Sequence, residues 1–286
     1  MEIIRAKTAG FCMGVSLALR KLDQALAENP GGRVVTLGPI IHNPQVIAGY
    51  ARRGVTEAKG LDELRPDDRV LIRAHGIPRQ MEEELARIGV NVVDATCPKV
   101  KKAQQKIAAM CASGMSLILF GEAEHPEVRG LLSYSSPSAL LFSGLPELER
   151  LPLDQTAEYF LAAQTTQDQD LFLQAAEALK SRLSKPLLVL NTICDATRKR
   201  LNEAGTIAEQ VEAVVVVGGL SSGNTRRLAA TAEERGVRAY HVETPDMLPL
   251  AELRSLRRVG LVAGASTPKA LIDATQKLLN TLEPGS

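Results

Sequence analysis

Three of the four cysteines share one local pattern, in which a short extended segment ends in cysteine and a helical stretch begins at once. The segments are TAGFCMGVSLALRKL at Cys12, VVDATCPKVKKAQQKI at Cys97 and LVLNTICDATRKRL at Cys194, 85 and 97 residues apart. The positive end of a helix dipole favours thiolate over thiol, and Pro98 suits a first helical turn. Thiolate sulfur is a soft ligand that selects iron-sulfur clusters or zinc. A cluster held by these three alone would keep one iron without a protein thiolate, open to a substrate oxygen. None of the three belongs to a CxxC pair, so the fold has to assemble any shared site. Cys111, inside the helical run KKAQQKIAAMCASG, has no counterpart in the pattern and reads as a packing residue.

Three of the four histidines follow apolar segments: His42 in IIHNP, His75 in AHG and His125 in EHPE; His241, in RAYHVE, lies elsewhere. Imidazole N–H groups donate to phosphate oxygens. Ser222, Gly223 and Asn224 in GLSSGNTRRL, with Ser266 in AGASTP, add hydroxyl, amide and backbone N–H donors where helices begin, a setting that binds anions. Together these describe a phosphate or diphosphate cradle without a P-loop, although Ser-Ser-Gly-Asn is also good helix-capping sequence. Glu127, two residues after His125, is one of few carboxylates on such a loop. It reads equally as a proton donor and as a first-turn residue favoured by the helix dipole. Thr165 in AQTT and Thr197 in CDAT are further hydroxyls near these loops, each also suited to capping a helix.

The elements that must position these groups follow a repeat. Apolar runs rich in Val, Ile and Leu alternate with helix-length stretches, which predicts an α/β fold of buried parallel strands. Within it a three-step pattern recurs with a period of about 90 residues. The first step is the cysteine junction. The second is an apolar strand stopped by glycine, at Gly38, Gly121 and Gly218; the third is an apolar strand ending in alanine, at Ala74, Ala163 and Ala263. The repeat predicts three modules. Residues 1–96 carry Cys12, His42 and His75; 97–193 carry Cys97, His125, Glu127 and Thr165; 194–286 carry Cys194, Ser222, Asn224 and Ser266. Ligands of open parallel sheets sit at the carboxyl ends of the strands, so a pseudo-threefold arrangement would aim nine such ends at one cavity.

Composition sets the outer limits. With 286 residues, 45% of them hydrophobic, the chain can bury a sizeable core and is not disordered. Thirty-four Lys and Arg against 33 Asp and Glu, with only five Phe, four Tyr and no Trp, offer no basic stacking platform for nucleic acid. No apolar run approaches the roughly 20 residues of a membrane span, and MEIIRAKTAG lacks a secretory apolar stretch. These features predict a cytosolic protein with reduced thiols.

The segments TAGFCMGV, TLGPIIHNP, RAHG, DATCP, HPEV, QTT, ICDAT and AGASTP, spread from residue 8 to residue 268, resemble the LytB (IspH) family of 4-hydroxy-3-methylbut-2-enyl diphosphate reductases. The resemblance implies a trefoil of three similar α/β modules with mostly parallel sheets around one 4Fe-4S cluster that has three cysteine ligands and one open iron. It implies the last step of the non-mevalonate isoprenoid pathway, with electrons from a small carrier of ferredoxin or flavodoxin type. Position by position, Cys12, Cys97 and Cys194 match the cluster ligands, and His42, His75, His125, Ser222, Asn224 and Ser266 the diphosphate site. Glu127 matches the proton-delivering carboxylate, Thr165 the hydroxyl that orders substrate and water, and Thr197 a more distant partner. Two positions depart from the family pattern: Gly223 stands where a second serine is usual, and Ala163 where TQTT has its first threonine. The rival readings are another three-cysteine cluster enzyme, of the quinolinate-synthase-like dehydratase kind, and a zinc-binding protein without redox chemistry.

Overall fold

The computed structural model describes residues 1–282. In chain order its elements are β1 (Glu2–Arg5), α1 (Met13–Ala27), β2 (Val34–Leu37), α2 (Pro44–Ala51), β3 (Val55–Ala58), β4 (Arg69–Ile72), α3 (Arg79–Ile88), β5 (Asn91–Asp94), α4 (Pro98–Ala112), β6 (Ser116–Phe120), α5 (Pro126–Leu132), β7 (Leu140–Phe142) and α6 (Leu145–Leu148). They continue with β8 (Tyr159–Ala163), α7 (Gln169–Arg182), β9 (Leu188–Val189), α8 (Asp195–Ala208), β10 (Ala213–Val217), α9 (Gly223–Glu233), β11 (Arg238–Val242), α10 (Leu250–Leu253), β12 (Arg258–Ala263) and α11 (Lys269–Asn280). The strands form three four-stranded sheets of order β3-β2-β4-β5, β7-β6-β8-β9 and β1-β12-β10-β11. Every recorded pairing is parallel.

The apolar runs are continuous because both faces of the central strands are buried. In β6 and β8, Ile118, Phe120, Leu161 and Ala163 pack with Phe172, Ala175 and Leu179 of α7. The alternate residues Leu117, Leu119, Phe160 and Ala162 pack with Ala103 and Ile107 of α4 and with Val128 and Leu131 of α5. The third sheet repeats the arrangement, Val215, Val217 and Leu261 meeting Ile272 and Leu279, while Val214, Val216 and Val262 meet Leu201, Ala204, Leu228 and Ala232.

The glycine and alanine junctions fall at strand ends or within two residues of them, and the cysteine junctions lie on the loops that follow β1, β5 and β9. The three remaining strands, β3, β7 and β11, sit at sheet edges, where VTEA, LLF and RAYHV are too short or too polar to read as apolar runs. One strand differs from the expected modules. β1 pairs with β12, Glu2 opposite Arg258 through Arg5 opposite Leu261, and so completes the sheet of residues 194–286 rather than that of 1–96. The reason lies in chain order. In every sheet the edge strand beside β4, β8 or β12 comes from the segment that leads to a cysteine, β5 to Cys97, β9 to Cys194 and β1 to Cys12.

Contacts divide the chain into two compact units, one of Met1–Ser16, Ile41–Arg53 and Asp195–Ser286, the other of Leu17–Ile40 and Gly54–Cys194. Among the described residues no helix is long and apolar enough to cross a membrane. A chain lacking residues 1–5 loses β1 and the Arg5–Asp273 ion pair of 2.7 Å. Its expected signature is a lower melting temperature with faster hydrogen exchange across Val259–Leu261, while Val70–Ile72 keep their protection.

Candidate functional site

The first unit holds Cys12, His42, Thr197, Ser222, Gly223, Asn224 and Ser266. Cys12 immediately precedes α1, and its N–H donates to the Ala265 carbonyl at 3.0 Å; Val15 N–H lies 3.5 Å from its Sγ. Its loop is fixed from α8. Glu203 accepts from Lys7 N–H at 2.7 Å, Thr8 N–H at 2.9 Å and the Thr8 hydroxyl at 2.5 Å. Buried Arg200 donates to the Gly10 carbonyl at 2.7 Å and the Ala263 carbonyl at 3.3 Å. Gly10 has φ 114°, a left-handed conformation that favours glycine.

His42 lies on the loop before α2, whose N-cap is the buried Asn43, accepting from Val46 N–H at 3.0 Å. Ser266 donates its hydroxyl to the His42 carbonyl at 2.9 Å, and a Cβ on Gly219 would stand 2.9 Å from the same oxygen. The loops after β10 and β12 therefore close on the His42 backbone, and glycine at 219 permits that approach. Ser222 caps α9 through Thr225 N–H at 3.4 Å. Asn224 is 7% exposed, and neither its amide nitrogen nor its amide oxygen has a hydrogen-bond partner. Buried polar groups are normally paired, so this side chain is chemically suited to a polar ligand. Gly223 is the first residue of α9 and is not among the glycines with positive φ. Its backbone conformation there does not require glycine. Thr197 is buried on the first turn of α8.

The second unit holds His75, Cys97, His125, Glu127, Thr165 and Cys194. Cys97 occupies the N-cap of α4 ahead of Pro98 and donates its N–H to the Ala74 carbonyl at 2.9 Å. Cys194 donates its N–H to the Thr165 carbonyl at 2.8 Å. The His75 and His125 rings meet edge to face, centroids 5.3 Å apart. His125 caps α5, its Nδ1 accepting from Glu127 N–H at 3.2 Å. An accepting Nδ1 places the proton of the neutral ring on Nε2, the nitrogen then able to donate to an anion.

Glu127 is 1% exposed. Its Oε1 accepts from Thr165 N–H at 2.6 Å and its Oε2 from the Thr165 hydroxyl at 2.9 Å. A carboxylate removed from water needs such donors, and both come from one residue. Sequence reasoning missed the support of this pair. Gln164, fully buried, accepts from Glu122 N–H at 3.1 Å and donates to the Thr166 hydroxyl at 2.9 Å, tying the Glu127 loop to the Thr165 loop. Arg200 and Glu203 were also missed, because a charge in an amphipathic helix reads as a solvated face; only their i, i+3 spacing next to ICDAT was available as a signal. Ala163 points into the core with Phe120 and Phe172, so its departure from TQTT leaves the Thr165 bonds intact. Cys111 packs against the Ile107 and Leu117 core, and His241 is held by the Gly218 carbonyl at 3.1 Å, burial pushing its pKa down.

The chemistry of the three cysteines fits a soft metal group. All three are half-buried. Each stands at a helix start, and each gives its N–H to the carbonyl two residues past the end of β12, β4 or β8. Such equivalence of three soft donors is what a metal-sulfur cluster asks of a protein.

The LytB protein family model matches residues 3–280. The chain belongs to the LytB family. A LytB relative from Nitratidesulfovibrio vulgaris strain Miyazaki F, named 4-hydroxy-3-methylbut-2-enyl diphosphate reductase, is 58% identical over 99% of this chain and 100% of its own. One of the same name from Solidesulfovibrio magneticus is 49% identical over 98% and 100%. The solved E-1-hydroxy-2-methyl-but-2-enyl-4-diphosphate reductase of Plasmodium falciparum superposes with a TM-score of 0.91 at 25% identity, covering 98% of this chain and 87% of that one. A solved (E)-4-hydroxy-3-methyl-but-2-enyl diphosphate reductase, described as the terminal enzyme of the non-mevalonate pathway, gives 0.72 at 36% identity over 98% and 99%.

The Glu203 clamp has a pH signature. Burial pushes its carboxyl pKa up, but the hydrogen bonds from Thr8 and Lys7 outweigh this and hold it below the ordinary value. A carboxylate lowered on folding adds stability above its unfolded pKa of about 4.3, and that stability disappears as pH falls through the folded value. Glu203→Gln is therefore expected to lower the melting temperature at pH 7 by about 2–4 °C. The gap to the native protein should close below a pH of about 4, as thermal scans across pH would register.

Proposed function

We infer that this chain is an iron-sulfur oxidoreductase that converts 4-hydroxy-3-methylbut-2-enyl diphosphate into isopentenyl and dimethylallyl diphosphates, the last step of the non-mevalonate pathway. The allylic C–O bond breaks, a C–H bond forms, two electrons and two protons are consumed, and the hydroxyl leaves as water. Full-length family membership supports the substrate. The observation that carries the chemistry is the buried Glu127 carboxylate, held at both oxygens by Thr165 on a turn that also presents His125.

Cys12, Cys97 and Cys194 hold one 4Fe-4S cluster in this reading. When bound, the cluster would supply the electrons and Lewis-acid chemistry at the substrate hydroxyl. The protein's own groups do the rest. His42, His75 and His125, with Ser222, Asn224, Ser266 and the Gly223 N–H, bind the diphosphate through charge-assisted hydrogen bonds, and the unbonded amide of Asn224 suits that role. Glu127 holds the proton to be delivered, and the Thr165 hydroxyl is its contact toward the substrate. In this reading the electrons come from a small ferredoxin- or flavodoxin-type carrier, and the protein works in the cytoplasm.

Anaerobically purified protein is expected to be brown, with broad visible absorption, and to reduce the allylic diphosphate when given a chemical reductant. Colourless protein with stoichiometric zinc would instead establish the zinc-binding alternative. Replacing Cys12, Cys97 or Cys194 by serine should each lower bound iron sharply, and Cys111→Ser should leave it unchanged; the reverse result at Cys97 and Cys111 removes the ligand assignment. Glu127→Gln preserves shape and the acceptor for Thr165 N–H but loses the titratable proton. Turnover should fall by about 10² or more while iron content stays normal. Near-normal turnover would leave Glu127 a capping residue.

A further inference from the structure

We propose that the exposed lysine face of α4, formed by Lys99, Lys102 and Lys106, is the docking surface for a small acidic electron-carrier protein. The inference rests on the reductase reading above, which requires two electrons from outside the chain for each turnover.

The three lysines lie three and seven positions along the helix from the first, and so share one side of it. All three are exposed, and among the described residues none of them enters an ion pair. Lys101 is the contrast. It turns toward α3 and β5, 2.9 Å from Glu82 and 3.4 Å from Asp94, and is part of the packing between elements. Between Asp94 and Glu122 the sequence has four lysines and no acidic residue, although the chain as a whole is balanced at 34 basic to 33 acidic. The positive charge is therefore local.

Helix stability does not account for it. Cations near a helix N-terminus oppose the dipole; α3, α5, α7 and α8 have Glu82, Glu127, Asp170 and Asp195 in their first turns, whereas α1, α2, α9 and α11 have no acid there. α4 has no acid in its first turn and begins with Lys99, Lys101 and Lys102. Three lysines in that turn do not stabilise their own helix, and Lys99 and Lys102 of them, with Lys106, stay exposed and available to a partner.

Position decides which partner. α4 starts at Cys97, and at 1.5 Å per residue the whole lysine face lies within about 14 Å of that residue along the axis. A carrier seated there brings its redox centre close to the cysteine end of the helix. Each docking delivers one electron and oxidises one carrier, so two encounters complete one turnover. Lysines of one sign on an open face steer an acidic protein and make its binding sensitive to salt.

The test uses the holoenzyme and a reducible acidic ferredoxin. For Lys99→Glu/Lys102→Glu/Lys106→Glu, the Kd for oxidised ferredoxin, measured by titration at low ionic strength, should rise at least tenfold, and its dependence on salt should flatten. The triple Gln variant should show a smaller loss in the same direction. A charge-matched control elsewhere, Lys59→Glu/Lys185→Glu/Lys277→Glu, should keep the native Kd. Turnover driven by reduced ferredoxin should fall with the affinity, whereas turnover driven by a small viologen should stay within twofold of native. Unchanged ferredoxin binding in the α4 variant, equal loss in the control, or a parallel fall with viologen would overturn the proposal. Binding to single-stranded DNA that exceeds binding to ferredoxin and vanishes in the α4 variant would overturn it in favour of nucleic acid. Absence of any viologen-driven reduction by the native protein would instead remove the reductase reading itself.

Discussion

Three backbone hydrogen bonds set where the sulfurs stand: Cys12 to Ala265, Cys97 to Ala74 and Cys194 to Thr165, at 3.0, 2.9 and 2.8 Å. Those of Cys97 and Cys194 extend the parallel pairings of β5 with β4 and of β9 with β8 beyond the last paired residues, while Cys12 reaches the Ala265 carbonyl from the longer loop that follows β1. Parallel strands send their exits in one direction, so the cysteine junction on an edge strand meets the loop leaving its neighbour. In an antiparallel pair the same junction would face the neighbour's entrance. Because peptide groups make the bond, the segments before the cysteines need no common sequence, and GF, AT and TI precede them.

Thr165 joins this backbone device to the buried Glu127 carboxylate. Its N–H and hydroxyl hold the two oxygens of Glu127, and its carbonyl receives Cys194. One residue thus fixes a buried carboxylate and a cysteine. The cost of burying the carboxylate is offset by two donors that are themselves held, since Gln164 next in the chain is locked to Glu122 and Thr166. Mobility in the Thr165 loop would release the carboxylate and shift the cysteine together, and full burial of Gln164 opposes that.

The fold was legible because strands buried on both faces leave continuous apolar runs, and LILFG or VVVVG has no other economical reading. Edge strands left weaker traces, and the placement of β1 left none, since pairing across 250 residues has no local signature. Among the site residues, cysteines and histidines stood out by chemistry and by their place in the repeat. Glu127 was ambiguous between acid and cap, and geometry shows that the two descriptions are not exclusive: it lies in the first turn of α5, yet its carboxylate turns to Thr165 rather than to its own helix. Gln164 has no signal in the sequence, because an amide says nothing of its bonds until two loops are brought together.

The unequal lengths of the cysteine loops explain the charges that sequence reading missed. Two residues separate β5 from Cys97 and four separate β9 from Cys194, but six, Ala6 to Phe11, separate β1 from Cys12. A short connection inherits the rigidity of its strand; a longer one has more freedom to lose and needs bonds of its own. These come from α8. Glu203 takes the N–H groups of Lys7 and Thr8 near the start of the loop, and Arg200 takes the Gly10 carbonyl near its end while also bonding the Ala263 carbonyl where β12 stops. An ionised side chain is costly to bury, but bonds from a charged donor or acceptor to the backbone are worth more than neutral ones, which suits a loop that must hold a cysteine without support from adjacent strand residues. The helix that begins after Cys194 therefore secures Cys12, and the order of the loop of one ligand candidate depends on the element that starts at another.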